Sequence, residues 1–180
     1  MRYFLTLSVI FLIAALLVVA YLFSGWFDVS ASRPEYGALA WVLDGIAERS
    51  VESHAESVSV PDLSRASLET GFRHYREMCV VCHGAPGART TEISQGLNPP
   101  APDLQRVAKE ADARELYWIV KHGIRMTGMP AFGKTHSEDE LWAMVAFVRR
   151  LPGLSPEQYK QLDQKYREGP EQGEAMEHQY

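Results

Sequence analysis

Only two cysteines occur in the 180 residues, Cys79 and Cys82. Two thiols can form one disulfide in an oxidising compartment, but a bridge between such close neighbours closes almost no loop and restrains almost nothing. That excludes a disulfide framework and leaves both thiols for chemistry. No stretch alternates apolar and polar residues convincingly, so the signal for half-buried strands is missing. A concentrated basic stripe is also missing. Lys and Arg number 18 against 23 Asp and Glu, a net charge of −5. Leu68 to Arg150 is close to neutral, with ten acids against eleven bases, and residues 157–180 carry a net −3 from six acids and three bases. Nucleic-acid recognition needs a positive face, so nucleic acid is set aside as a partner.

What the chain has is unevenly placed. Tyr3 to Phe23 contains no charged residue and is dominated by Leu, Ile, Val, Phe and Ala. As a helix it would be roughly 30 Å long, about the hydrocarbon thickness of a bilayer. Tyr21 and Trp26 fall near its far end, where amphipathic rings favour the interface. The run is longer than the apolar core of a secretory signal, and Val18-Val19-Ala20 is a weak cleavage site within it. An uncleaved single-pass anchor in membrane lipid is therefore expected, over residues 1–27. Arg2 and the terminal amine lie on one side and Asp28 comes first on the other. The positive end stays in the cytoplasm, which places the rest of the chain outside the inner membrane of a bacterium.

Residues 28–66 are expected to hold a juxtamembrane helix and a linker. Tyr36, Leu39, Val42, Leu43 and Ile46 mark one helical face, opposite Asp44 and Glu48. Packing on the chain's own domain and contact with a bilayer or partner subunit both fit that face. Ser57 to Ser64, with Pro61 inside it, forms the linker. A helix is expected from about Leu68 to Cys79, with Leu68, Phe72, Tyr75 and Cys79 on one face, stopped by Gly84 and Pro86-Gly87. Ala88 to Leu104 is a long Pro- and Gly-rich loop, a length usually tied to function. Asp112 with Glu115 predicts a capping box opening a helix that Gly123 closes. Ser137 with Glu140 predicts another, opening an apolar helix over 138–150 that Pro152-Gly153 stops. Ser155 to Gln158 starts a short final helix, followed by an acidic tail beyond Gly169. The fold class is all-α.

The chemistry lies at Cys79-Val80-Val81-Cys82-His83, the attachment sequence for haem c. Two thiols three residues apart at a helix end reach the two vinyl groups on one porphyrin edge, and the adjacent imidazole of His83 then projects beneath the ring to bind iron. A zinc site drawing on His83, His122 and His136 lacks ligand spacing in its second pair. A redox dithiol of the thioredoxin kind lacks its βαβ context. For a second axial ligand, only Met126 and Met129 lie in a Gly/Pro-punctuated loop between helices. Pro130 restrains the backbone after Met129, which favours Met129 over Met126, with His122 or an open site as the remaining alternatives. A thioether favours ferrous iron and raises the reduction potential.

Cys79-Val-Val-Cys82-His83, followed about 45 residues later by Gly128-Met129-Pro130-Ala131-Phe132 and an aromatic-rich helix, resembles a class I c-type cytochrome over Leu68 to Leu151. Trp118 to Pro130 is similar to a stretch of membrane-anchored bacterial monohaem cytochromes. The resemblance implies a domain at 67–154 holding one covalent haem c with its iron. In it Gly71 and Tyr75 lie where the first helix crosses the last, opposite Met144 and Phe147. It further implies that the Pro102 carbonyl accepts a hydrogen bond from His83, which would fix that ring's tautomer. Trp118 and Trp142 would line the haem edge or a propionate, or pack in the core. Arg89 and Arg125 are candidates to pair with propionates, and His54, His74, His122 and His136 are taken as surface residues.

The expected function is one-electron transfer, not catalysis, because two protein ligands leave no iron position for substrate. The expected partners are redox proteins in or on the inner membrane. A haem sensor from which Met129 dissociates, and a zinc-binding anchor protein, are the competing readings.

Overall fold

The computed structural model describes residues 2–33, 37–88 and 90–167; Tyr36, Arg89 and the tail beyond 167 lie outside the described residues. The described residues form helices and turns only, with no strand. The chain divides into two compact units, Met1–Pro34 and Glu35–Tyr180.

The first unit is helix α1, Arg2–Phe23. Its 22 residues give about 33 Å at 1.5 Å per residue. None is buried, and an 18-residue window reaches a mean hydropathy of 2.8, so the helix is long and apolar enough to cross a membrane. Gly25, at φ 80°, turns the chain away after Phe23, and Asp28 pairs with Arg33 at 2.7 Å.

The second unit opens with α2, Gly37–Ala55. Its two ends behave differently. Val51 and Ala55 are buried, whereas Leu39, Trp41, Val42, Leu43 and Ile46 stay exposed. The C-terminal end packs on its own domain, and the apolar face predicted from periodicity is left in the open.

Helix α3, Leu68–His74, starts at a Ser67 cap whose hydroxyl accepts from the Thr70 amide. A wider π turn, Tyr75–Cys79, carries it into α4, Val80–His83, so the helix expected to end at Cys79 runs four residues further. The Pro- and Gly-rich stretch contains a single turn, α5, Glu92–Gln95. Then come α6, Leu104–Glu110, α7, Ala113–His122, α8, Glu138–Val148, and α9, Pro156–Arg167. Asp112 caps α7 through the Arg114 amide alone, whereas Ser137 and Glu140 form the full reciprocal box expected for α8.

The core is built on α8, where Leu141 to Val145, Phe147 and Val148 are all buried. Helix α3 crosses it at Gly71. A Cβ there would lie 2.2 Å from the Ala143 carbonyl oxygen and 2.9 Å from Phe147 Cβ, so only glycine permits this approach. Phe72 and Tyr75 pack their rings on Phe147, with centroids 5.4 and 5.2 Å apart. From α9, Tyr159 meets Phe72 at 5.4 Å, and Asp163 reaches Arg76 at 3.7 Å. From α7, Tyr117 stacks on Trp142 at 4.1 Å.

His74 corrects an expectation. It is buried rather than on the surface, because the α3 face beyond Gly71 turns it against α8. Its Nε2 lies 3.6 Å from a Glu140 carboxylate oxygen, and its ring meets His136 edge-on at 4.9 Å. Burial first, and His136 second, hold its pKa below the ordinary histidine value despite Glu140.

Replacing Gly71 by Ala should cost about 3 kcal/mol or more, since the added methyl meets backbone rather than a movable side chain. Denaturant unfolding of the variant measures it. The Tyr159 hydroxyl is buried without a hydrogen-bond partner, and burial, with Asp163 nearby, pushes its pKa up to about 12. A raised folded-state pKa stabilises fully below the unfolded value, about 10, and that contribution is lost as pH rises towards 12. Tyr159→Phe should therefore leave stability at pH 7 unchanged or higher by up to about 1 kcal/mol. It should also flatten the decline in melting temperature above pH 10.

Candidate functional site

The π turn decides how the attachment motif is presented. One residue more than an α-turn requires rotates everything after it by about 100° relative to a continuous α-helix. Tyr75 and Cys79 thereby remain on the core side, and Cys82 and His83 come one short turn later. Both cysteines are free thiols and half-buried. Burial pushes the Cys79 thiol up to about 12, with Cys82 a smaller contributor, so it is a neutral thiol at pH 7. Among the described residues, no group of three or more His, Cys, Asp or Glu is arranged to hold a bare metal ion.

The helix stops at Gly84, whose φ of 72° belongs to glycine. Its carbonyl is held by the Tyr75 hydroxyl at 2.7 Å, which pins the end of the motif to the core. His83 Nδ1 lies 2.9 Å from the Pro102 carbonyl oxygen. A carbonyl only accepts, so Nδ1 carries the proton and Nε2 is the free lone pair. Pro102 is held in turn by its neighbour Asp103, which caps α6 through the Gln105 amide at 2.9 Å. A cleft of about 280 Å³ opens here, lined by Tyr75, Cys82, His83, Thr90, Ser94 and Ala101 among others. The Thr91 hydroxyl donates to the Val81 carbonyl and caps α5.

The methionine loop hangs from the end of α7. Gly123, at φ 66°, closes that helix, and a Cβ on it would lie 2.7 Å from the Met129 carbonyl oxygen. The Ile124 amide donates to that same oxygen at 3.2 Å. Thr127 ties the turn from inside, its hydroxyl donating to the Ile124 carbonyl at 2.7 Å and accepting from the Met129 amide at 3.1 Å. Gly133 lies against Lys121 with equal closeness. The two methionines of the loop differ. Met129 is half-buried, whereas Met126 is 77 % exposed at a left-handed φ of 63°.

The remaining candidates fall elsewhere. The Trp118 indole lies against His122 at 5.0 Å and His54 of α2 at 5.4 Å, on the seam between α2 and α7. Trp142 is buried on Tyr117. Arg125 is exposed, and Arg89 lies outside the described residues. Tyr75, Thr91 and Gly123 were not singled out for the site by sequence reasoning. Only Gly123 left a signal of its kind, a glycine directly after the last apolar position of a helix.

Residues 66–148 match the family described as cytochrome C oxidase, cbb3-type, subunit III. No curated protein matches the chain.

Since Gly123 combines positive φ with backbone contact, Gly123→Ala should cost about 3 kcal/mol and displace the loop it supports. Amide hydrogen exchange should rise across residues 124–131 while α3 and α8 keep their protection. Unchanged exchange in that loop would show that Met129 is held by something else.

Proposed function

Residues 66–148 are a class I c-type cytochrome domain, and from that premise we propose that the chain is a membrane-anchored carrier of single electrons with one haem. Domains of this family hold covalent haem c with its iron and work in electron transfer. In the finer reading, Cys79 and Cys82 would give the thioether sulfurs, and His83 Nε2 and the Met129 thioether would bind the iron. The observation that carries this reading is the His83–Pro102 hydrogen bond, 2.9 Å long, beside two free thiols on one helical turn. When bound, the group supplies a one-electron Fe(III)/Fe(II) couple.

The chain's own residues hold that couple steady. Pro102 fixes the His83 ring and raises its basicity as a ligand. Gly123 and Thr127 fix the backbone that presents Met129. A soft sulfur opposite an imidazole favours the ferrous state, which raises the potential. Were His83 and Met129 both to bind the iron, it would keep no position for a substrate, which supports a carrier over an enzyme. On this reading Trp118 stiffens the α2–α7 seam beside the haem domain instead of touching the ring.

The same reading divides the chain into an anchor (1–27), a juxtamembrane helix with linker (28–66), the haem domain (67–154) and a short helix with acidic tail (155–180). Arg2 at the near end of α1 favours a cytoplasmic N-terminus and a haem domain in the periplasm of a bacterial inner membrane. Donor and acceptor would then be redox proteins in or on that membrane.

The ferric holoprotein should have a low-spin spectrum with a sulfur-to-iron charge-transfer band, and Met129→Ala should abolish the band and lower the potential. A band that survives in this variant would transfer the role to Met126. A pyridine haemochrome assay should return one haem per chain.

A further inference from the structure

We propose that the first three turns of α2 lie in the membrane–water interface, with an apolar stripe of Leu39, Val42, Leu43 and Ile46 against lipid. The chain then holds the bilayer twice, once through α1 and once through this stripe. The inference rests on the membrane-anchor reading and adds a lipid-binding surface to it.

The stripe follows from helix geometry. Each residue advances about 100° around the axis, so Leu39, Val42, Leu43 and Ile46 fall within one sector about 100° wide. Asp44 and Glu48 fall on the opposite side. The same count puts Val51 and Ala55, the buried positions of the helix, roughly 150° from the centre of the stripe. The stripe therefore faces away from the domain on which the far end of α2 packs. Leu39, Val42, Leu43 and Ile46 are 45 %, 44 %, 39 % and 61 % exposed.

Position in the chain sets this surface apart. Among the described residues of the second unit, nine large apolar side chains are exposed, and five of them, the stripe and Trp41, fall between positions 39 and 46. Asp44 is the one charged residue from Gly37 to Ala47. Trp41 lies off the stripe, on the turn nearest the start of the helix, where no side chain on any side is charged. Its ring is of the amphipathic kind that favours a membrane interface. Single exposed apolar residues are ordinary, but a contiguous set on one helix marks a contact.

Lipid fits this surface better than protein does. Residues 24–36 join α1 to α2 and reach at most roughly 45 Å when fully extended, so a bilayer crossed by α1 stays within range. Five partly exposed side chains fall short of the roughly 800 Å² per partner that a stable protein interface buries. Lipid sets no such minimum, because an interfacial helix gains with each apolar side chain it sinks into the headgroup boundary. The acids and bases of α2 are Asp44, Glu48 and Glu52 against Arg49. Without a cationic excess, the contact draws on apolar burial and not on anionic headgroups.

The test uses the full-length holoprotein in phosphatidylcholine vesicles, with Leu39→Cys, Ile46→Cys and Glu48→Cys made singly. Wild type gives the blank, since its own two thiols are taken by haem on the reading above. Each protein is floated with the vesicles and then treated with a charged, water-soluble maleimide. The thiols of Leu39→Cys and Ile46→Cys should react on the order of tenfold more slowly than that of Glu48→Cys, because a charged reagent is kept out of the apolar layer. That protection should be the same in dilute and in crowded vesicles. Stripe thiols as reactive as the Glu48→Cys control in floating protein would overturn the lipid contact and leave the anchor standing. Protection that grows with protein density would assign the stripe to a second copy of the chain and overturn it equally. A holoprotein that does not float with the vesicles would overturn the anchor reading and the stripe with it.

Discussion

Everything at the site hangs from one close approach, the contact of Gly71 with the Ala143 carbonyl on α8. Helix packing distances are normally set by side chains. Here a missing side chain lets two backbones meet and fixes α3 along an almost fully buried helix. The attachment motif is the direct continuation of α3, so its position is set by that crossing through the Tyr75–Cys79 turn. Phe72 and Tyr75, packed on Phe147, lock the rotation about the helix axis. The contact therefore acts at a distance. It places Cys82 and His83 without touching either.

A second constraint acts from the other side of the domain. Helix α7 is bound to α8 by the Tyr117–Trp142 stack and by Glu138, which accepts from both Tyr117 and Lys121. The methionine loop departs from the end of α7 and folds back on Gly123 and Lys121. Both axial candidates are thus referenced to α8 by separate routes, His83 through α3 and Met129 through α7. An electron carrier gains from this arrangement. A centre that changes charge without changing shape reorganises little, and on the proposed reading both candidate ligands are held through backbone hydrogen bonds, His83 to the Pro102 carbonyl and Met129 within its loop.

The sequence was most legible where a chemical requirement forces residue types into a fixed spacing. The Cys79–His83 motif, the Ser137–Glu140 box and the apolar run of α1 are of that kind. Boundaries were less legible. The π turn at Tyr75–Cys79 has no periodic signature, because one residue of slippage leaves the apolar positions looking like an α-helix, and the helix was ended four residues early. Helix α6 was hidden by the prolines before it, although Asp103 ahead of Leu104 has the form of a cap. The residue type of His74 points to the surface, and only the tertiary crossing turns it to face α8. For α2 the periodicity marked a real apolar face, yet packing uses the residues at the other end of the helix.

The distribution of charge supplies a last argument. Some of the formal charge on the second unit is held in local pairs, Arg49 with Glu52, Arg114 with Asp112, Lys121 with Glu138, and Arg76 with Asp163 and Glu77. Pairs of this kind add little to stability at a surface, so their effect lies in what they remove from the long-range field. A soluble carrier must find its partner by diffusion, and a strong field speeds that search. A carrier tied to the plane of its partner has the search shortened by geometry, and a strong field would only slow release. Local pairing of some charges and a long apolar N-terminal helix both agree with the proposed tethered carrier.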